Sequence, residues 1–333
     1  MSPAALRPGR DADAAGIIAL IGACWAEYPG CVMDMDRENA ELRALATYYA
    51  GKGGALWVSE DNGTIAGMAA VAPLDAATWE IGKVYVDAGH RGAGLALSLM
   101  MAAEAHARAA GAGEIKLWSD TRFTRAHRFY ERLGYVRAGP IRVLNDLSNS
   151  LEYAYAKPVA GTVVRRLDAA AAESAHRALG EILRACVDAG ASVSFLPPLA
   201  RETAEGFYRR AASAVASGTR VLLAGWVDGV LAGTASLDLD TPQNQPHRAE
   251  VQKLLVHPEA RRNGLARALM ASLEDAARAE GRILLNLDTR AADAAEPLYR
   301  SLGYQEAGRI PRFARNADGT LCDTVLFWKE LAA

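Results

Sequence analysis

Apolar residues recur at helical spacing through Ile17, Leu20, Ile21, Cys24 and Trp25. That predicts a helix with one buried face, opened by a cap at Asp11 or Asp13 and broken at Tyr28-Pro29-Gly30. Ala5 to Arg7, just before it, has the character of a first strand. A second helix is expected from a cap among Asp34 to Asp36, with Leu42, Leu45, Ala46 and Tyr49 inward and an end near Gly51. Ala55 to Glu60 and Ile65 to Val71 read as strands joined through Asp61-Asn62-Gly63, a tight-hairpin signal. Trp79 to Val86 is a buried strand, and Leu95 to about Ala110 an amphipathic helix ended by Gly111. Glu114 to Ser119, Tyr135 to Ala138 and Leu151 to Lys157 are further strands, with a short helix over Thr124 to Leu133.

The same order then returns. Val163 to Leu167 is a strand, followed by helices at about Glu173 to Ala189 and Leu199 to Ser217. Strands Val221 to Val227 and Val230 to Asp240 flank Asp228-Gly229. Ala249 to Pro258 is a buried strand, and Leu265 to Glu280 a helix ended by Gly281. Ile283 to Asp288, a short helix to Leu302, and strands near Tyr304 and over Val325 to Trp328 close the chain. The offset is 261 − 91 = 170 between Arg261 and Arg91, shared by Glu250 and Glu80, and 169 between Leu302-Gly303-Tyr304 and Leu133-Gly134-Tyr135. A long repeat of fixed period means two copies of one domain. Lys157-Pro158-Val159-Ala160-Gly161 interrupts periodicity and serves as the linker, giving domains 1–158 and 159–333. Each is expected to be a mixed α/β unit, a twisted sheet flanked by helices.

Candidate chemistry sits where a buried strand meets a helix. Arg91-Gly92-Ala93-Gly94-Leu95-Ala96 and Arg261-Arg262-Asn263-Gly264-Leu265-Ala266 both have the form R-x-x-G-x-A. The start of a helix leaves backbone N–H groups without partners and carries partial positive charge. A glycine there lets an anion come close, so each stretch is a seat for a phosphate or pyrophosphate. Composition adds exclusions. Net charge is −2 over 333 residues, so no electrostatic pull toward nucleic acid or an anionic membrane is expected. Cys24, Cys31, Cys186 and Cys322 are scattered, without metal-ligand spacing, as in a reducing cytoplasm. The apolar run Ala14 to Ala26 is too short to span a bilayer.

R-x-x-G-x-A after a buried strand, followed by Y-x-x-x-G-Y at Tyr130 to Tyr135 and Tyr299 to Tyr304, resembles the GCN5-related N-acetyltransferases (GNAT), once per half. The resemblance implies acetyl transfer from acetyl-CoA (coenzyme A) to a primary amine of a small molecule by direct attack, without a covalent enzyme intermediate. It implies that the pyrophosphate lies on the two R-x-x-G-x-A stretches. The pantetheine is then held by the strands before them, at Val84, Tyr85 and Val86 and at Leu254, Leu255 and Val256. Ala-Glu-Val-Gln-Lys-Leu-Leu-Val-His-Pro from Ala249, with LLNLDT and LYRSLGY, is similar to the tabtoxin-resistance acetyltransferases. That likeness puts catalytic weight on Glu250 and Asp288 near the amine and on Tyr299 as proton donor to the thiolate. In the first half Glu80 and Tyr130 take the places of Glu250 and Tyr299, Asp120 follows its strand much as Asp288 does, and His127 shares a helix face with Tyr130.

Two departures mark the pattern. Phe123 and Ala292 stand where many members carry Asn, seven residues before the tyrosine, and Ala88-Gly89-His90 replaces the Pro that His257-Pro258 keeps. The second half is therefore the better match. Acceptor selection is expected from Trp25, Tyr28, Pro29, Asp34 and Asp36 in the first half and from Phe195, Pro197 and Pro198 in the second. Capping and helix packing are the plainer roles for these residues. Alternatives are that only one half is catalytic, the other binding acyl-CoA or another ligand without turnover, or that the chain is a mycothiol-synthase-like tandem enzyme. A monomer or homodimer is expected.

Overall fold

A computed structural model describes residues 5–331. The chain forms two compact units: residues up to Tyr130 with Arg137–Ala160, and Glu131–Val136 with the residues from Gly161 onward.

In the first unit, β1 (Leu6–Pro8), β2 (Ala55–Asp61), β3 (Thr64–Pro73), β4 (Thr78–Val86), β5 (Glu114–Asp120), β8 (Leu151–Pro158) and β6 (Val136–Arg137) lie side by side in that order, and β7 (Arg142–Val143) also pairs with β8. The β2–β3 hairpin turns through Asn62 and Gly63, both left-handed at φ 49° and 77°, the turn that Asn-Gly favours. β3 is central and buried on both faces. Met68 and Ala70 meet α1 (Ala14–Ala26) and α2 (Leu45–Gly51), while Ala66 and Ala69 meet α3 (Leu95–Ala109). Gly67 lets α3 come close, since a Cβ there would lie 2.9 Å from Leu95 Cδ2. α4 (Thr124–Arg132) follows β5.

The second unit repeats this plan with β9 (Thr162–Arg166), β10 (Arg220–Val227), β11 (Val230–Asp238), β12 (Arg248–Val256), β13 (Leu284–Arg290), β15 (Leu321–Glu330) and β14 (Gln305–Arg315) in spatial order. α5 (Ala169–Asp188) and α6 (Arg201–Ala216) cover Leu222, Ala224 and Trp226, and α7 (Leu265–Ala279) covers Val221 and Leu223. α8 (Ala295–Ser301) follows β13. Partly buried ion pairs tie the third helix to the sheet in each unit: Lys157 Nζ to Glu104 at 2.6 Å, Lys329 Nζ to Glu274 at 2.7 Å.

Several elements differ from the sequence pattern for local reasons. α5 starts at Ala169 rather than Glu173 because the Asp168 carboxylate accepts the Ala171 N–H and caps it there. Asp34 accepts the Asp36 and Arg37 amides, so it caps a turn; the next helix is a 3-10 segment, Ala40–Ala44, ahead of α2. β14 is eleven residues long and mostly exposed, so no apolar run announced it.

Two features open a crevice at the same place in both sheets. The parallel pairs β4–β5 and β12–β13 hold for three residues only. They end at Glu80 opposite Lys116 and at Glu250 opposite Asn286. Three residues beyond each glutamate the strand bulges: Lys83 and Lys253 adopt left-handed φ of 55° and 53°, and the pairing with β3 and β11 slips there. A bulge bends a strand and increases its twist. The strands therefore part and leave a fork.

Candidate active site

Above each fork stands the strand-to-helix turn. Gly94 and Gly264 precede α3 and α7 with φ of 87° and 77°. A Cβ at either would meet nothing within 4 Å, so the glycine is demanded by the backbone angle and the space over it is open. The first amides to enter the helices are those of Ser98, donating to Gly94 O at 3.0 Å, and Ala268, donating to Gly264 O at 3.1 Å. The amides of residues 92–97 and 262–267 find no acceptor among the described residues. Both R-x-x-G-x-A stretches thus present a run of free backbone N–H groups, a feature to which anions are attracted.

Their charge differs. The Arg91 guanidinium donates to both oxygens of Glu27, at 2.8 and 2.5 Å, and to Val86 O. Arg261 reaches the equivalent Val256 O at 3.5 Å, and no carboxylate among the described residues pairs with it or with Arg262. Arg262 holds left-handed φ, 68°, where the first copy has Gly92. In a bent backbone of this kind the successive amides face one side.

At the second fork, Glu250 is half-buried and accepts from Gln252 Nε2 at 3.1 Å; Gln252 also accepts from Arg220. Asp288 lies two residues past the last β12–β13 pair, exposed, and accepts from Thr324 Oγ1 at 3.0 Å. Tyr299 is buried on α8 against Tyr304 and Phe327. Burial, with the Asp293 and Asp288 carboxylates adding to it, pushes its phenol far above the ordinary value, so it keeps its proton. Its hydroxyl has no hydrogen-bond partner among the described residues and is not sealed from solvent. Lys253 Nζ lies in the same field. Burial lowers its pKa, Asp288 and Glu250 oppose that, and Arg220 adds to it. Its one polar contact is Ser194 Oγ at 3.2 Å, with the Phe195 and Phe207 rings about it.

The first fork is different chemistry on the same backbone. Glu80 matches Glu250 in register and is half-buried, and burial pushes its carboxyl up, opposed by Arg142 and Lys52. The position two residues past the last parallel pair, where Asp288 stands in the second half, is Trp118, not Asp120. Asp120 lies two residues further, buried and clamped by Arg122 through Nε at 2.8 Å and Nη2 at 2.6 Å. The likeness of Asp120 to Asp288 is therefore corrected: it is a turn anchor. His127 is buried and its Nε2–H donates to Asp120 O at 2.9 Å; burial lowers its pKa and keeps it neutral. Tyr130 is buried with its pKa raised, the Tyr85 and Tyr155 hydroxyls adding to the effect of burial. Lys83 is paired with Glu41 at 3.0 Å.

The residues expected to select an acceptor divide. Asp34 caps a turn and Asp36 pairs with Arg43, so neither is a free carboxylate. Trp25 Nε1 donates to the Tyr85 hydroxyl at 3.0 Å, and Tyr28 packs on Phe123. Phe195 does border the second fork, beside Lys253. The two bulge lysines were missed, although Lys83 and Lys253 share the repeat offset, 253 − 83 = 170. Among the described residues, no cluster of three or more His, Cys, Asp or Glu could hold a metal, and no helix is long and apolar enough to cross a membrane.

Comparison with known proteins accords with this geometry. The acetyltransferase (GNAT) family matches twice, over residues 20–135 and 178–304. An uncharacterized N-acetyltransferase in the hisH–hisA intergenic region of Azospirillum brasilense is 37% identical over 113 residues, 33% of this chain and 66% of that protein. The mycothiol acetyltransferase of Thermobispora bispora is 32% identical over 136 residues, 39% of this chain and 44% of that protein. The matched parts therefore span less than two thirds of either relative. Among solved structures, a GCN5-related N-acetyltransferase from Kribbella flavida aligns at TM-score 0.44 and 22% identity, covering 51% of this chain and 98% of that one. An acetyltransferase from Salmonella typhimurium solved with acetyl-CoA aligns at TM-score 0.44 and 22% identity, covering 52% of this chain and 95% of that one. With two matched copies filling most of its length, the chain belongs to the acetyltransferase (GNAT) family.

Proposed function

We propose that this protein is an acetyl-CoA-dependent N-acetyltransferase whose second half transfers the acetyl group to a primary amine of a small molecule. The observation that supports this reading is the make-up of the second fork. Glu250 ends the parallel pairing and Asp288 lies two residues beyond it, Asp288 acts electrostatically on the Tyr299 phenol, and the turn after β12 has open amides and two arginines without carboxylate partners among the described residues. Acetyl-CoA supplies an activated thioester when bound. The amides of residues 262–267, with Arg261 and Arg262, would hold its diphosphate, and Leu254, Leu255 and Val256 of β12 would hold its pantetheine.

This chain's own groups do the rest. Glu250 and Asp288 attract an ammonium to the fork and accept its proton, directly or through water. Tyr299 keeps its proton because burial disfavours the phenolate. Its O–H serves as a hydrogen-bond donor to charge developing on the leaving sulfur. The first half retains the open turn at Arg91 to Ala96, the strand residues Val84, Tyr85 and Val86, and Glu80 and Tyr130. It has Trp118 in the place of Asp288, and Arg91 and Lys83 are already paired, which suits a binding module or a much slower site.

Thiol release from acetyl-CoA over a panel of amines, antibiotics and amino acids tests the proposal. Turnover that is lost in Gly264→Glu and retained in Gly94→Glu supports it; absence of thiol release with every amine overturns it. The likeness to the tabtoxin-resistance acetyltransferases places tabtoxin on that panel. A second reading, an activity like that of the Thermobispora mycothiol acetyltransferase, rests on the identity to that protein and is separated by including that enzyme's acceptor.

A further inference from the structure

The second fork contains a cation that the transfer chemistry does not use. Lys253 stands on the bulge, three residues past Glu250, held at a left-handed φ of 53° that a β-strand residue adopts only under constraint. The residue is half-buried, and its ammonium lies 3.2 Å from the Ser194 hydroxyl, with the Phe195 and Phe207 ring centres at 6.0 and 5.7 Å, on the segment between α5 and α6 and on α6 itself. No carboxylate among the described residues comes within ion-pair distance of it, although Asp288 and Glu250 are near enough to act on it electrostatically. A partly desolvated ammonium with a single neutral acceptor is short of an anion. The first half shows the satisfied version: Lys83, at the same place in the repeat, is paired with Glu41 at 3.0 Å. The Phe195 and Phe207 rings line one side of Lys253, so a charge pair made there is less screened than one in open water.

Resting on the proposed transferase role of this fork, we propose that its acceptor is an amine that also bears a carboxylate, an amino-acid-like zwitterion, and that Lys253 Nζ binds that carboxylate. Glu250 and Asp288 face the ammonium end and Lys253 the carboxylate end, so the bound acceptor brings one charge of each sign to groups of the opposite sign. Lys253 is then a specificity residue. It decides which amines are held, and it takes no proton from the reacting nitrogen.

The test uses α-amino acids, each matched with its carboxamide and its decarboxylated amine, on the full chain with acetyl-CoA. The acid is expected to exceed its amide in kcat/KM by about tenfold or more, the size of one charge-assisted hydrogen bond, mainly through KM. Lys253→Met should shrink that ratio to near one, and Lys253→Arg should keep most of it. Equal use of acid and amide by the unaltered protein, or an unchanged ratio in Lys253→Met, overturns the inference. Should Lys253→Met fail to fold, inhibition of the unaltered protein by the deaminated acids replaces it. Competition with the amine acceptor supports the carboxylate seat, and no competition overturns it. Calorimetry separates the two levels. Acids that bind more tightly than their amides without any thiol release refute the transferase role and uphold the seat. Thiol release with equal binding of acid and amide does the reverse.

Discussion

The two halves repeat one plan, with their fork and turn residues about 170 positions apart, and differ in what happens to their charges. Both have the open glycine turn, the short parallel pairing, the bulge with a left-handed lysine and the partly buried Lys–Glu pair under the third helix. In the first half Arg91 is paired with Glu27, Lys83 with Glu41, Asp120 with Arg122, and Trp118 fills the fork position. In the second half Arg261, Arg262 and Lys253 have no carboxylate partner among the described residues, and Asp288 takes the place of Trp118. The same backbone turn thus carries a paired cation in one half and cations without carboxylate partners in the other, and the difference lies in residues as far away in the chain as Glu27.

The comparison is broken most directly at the glycines. Gly264→Glu places a carboxylate over the free amides at a backbone angle that disfavours any side chain. The expected outcome is loss of turnover by about 100-fold or more, through repulsion of the diphosphate and blocked approach. Gly94→Glu is expected to cost turnover less than about threefold, a loss of under 1 kcal/mol. Equal losses in steady-state assays would show that both halves turn over. Next in size is Tyr299→Phe, which removes the hydroxyl proposed as the donor to the leaving sulfur; kcat should fall about 100-fold with little change in acetyl-CoA affinity. Tyr130→Phe is the matched control, expected to change the rate by less than about twofold.

A smaller effect sharpens the electrostatic part. Glu27→Gln releases Arg91 from its pair, which should strengthen acetyl-CoA binding to the first half severalfold in low salt, as a partly exposed charge pair allows. The gain should fade at about 0.5 M salt, where screening is strong. Calorimetry across a salt series checks it; no change at any salt would mean that the charge of Arg91 is irrelevant to the seat. A pH series bears on Glu80. Burial raises its carboxyl above the unfolded value, so the folded state binds the proton more readily than the unfolded state does. Its contribution is most favourable at low pH and is lost as pH rises through the folded pKa. Glu80→Gln should therefore gain stability relative to the unaltered protein between pH 4 and pH 8, and a melting series that runs the other way would refute the desolvated carboxylate.

Much of this was legible in the sequence because it is local. The hairpins at Asn62-Gly63 and Asp228-Gly229, the two glycine turns and the 170-residue repeat are encoded within a few residues each, and all have structural counterparts. What was not legible depends on partners far apart in the chain. Arg91 and Glu27 are 64 residues apart, and nothing near Arg91 signals that its charge is spent. The bulges put two lysines, neither a residue that favours left-handed φ, at positions that periodicity assigns to plain strand. Asp120 resembled Asp288 because each was aligned on the end of its strand, whereas register across the parallel pair makes Trp118 the counterpart. Asp34 and Asp36 read equally as acceptor carboxylates or as caps, and what separates the two is that Asp34 accepts the Arg37 amide and Asp36 pairs with Arg43.

The smallest effect concerns a residue noted first as a departure. Ala292 stands where many family members carry Asn, and its φ is 61°. Alanine in the left-handed region costs about 1 kcal/mol, a cost that asparagine largely escapes. The position is nevertheless held, because its amide donates to buried Glu296, whose carboxylate also receives Arg309. Ala292→Asn should therefore raise stability by about 0.5 to 1 kcal/mol, a few degrees in melting temperature at most. Phe123, at the matching place in the first half, does not have a left-handed φ and packs its ring on Tyr28, so Phe123→Asn should destabilise by removing that contact. Opposite signs for the two substitutions in thermal melts would show that the Asn position follows local backbone geometry in each half; the same sign in both would mean that strain at Ala292 is not what the substitution relieves.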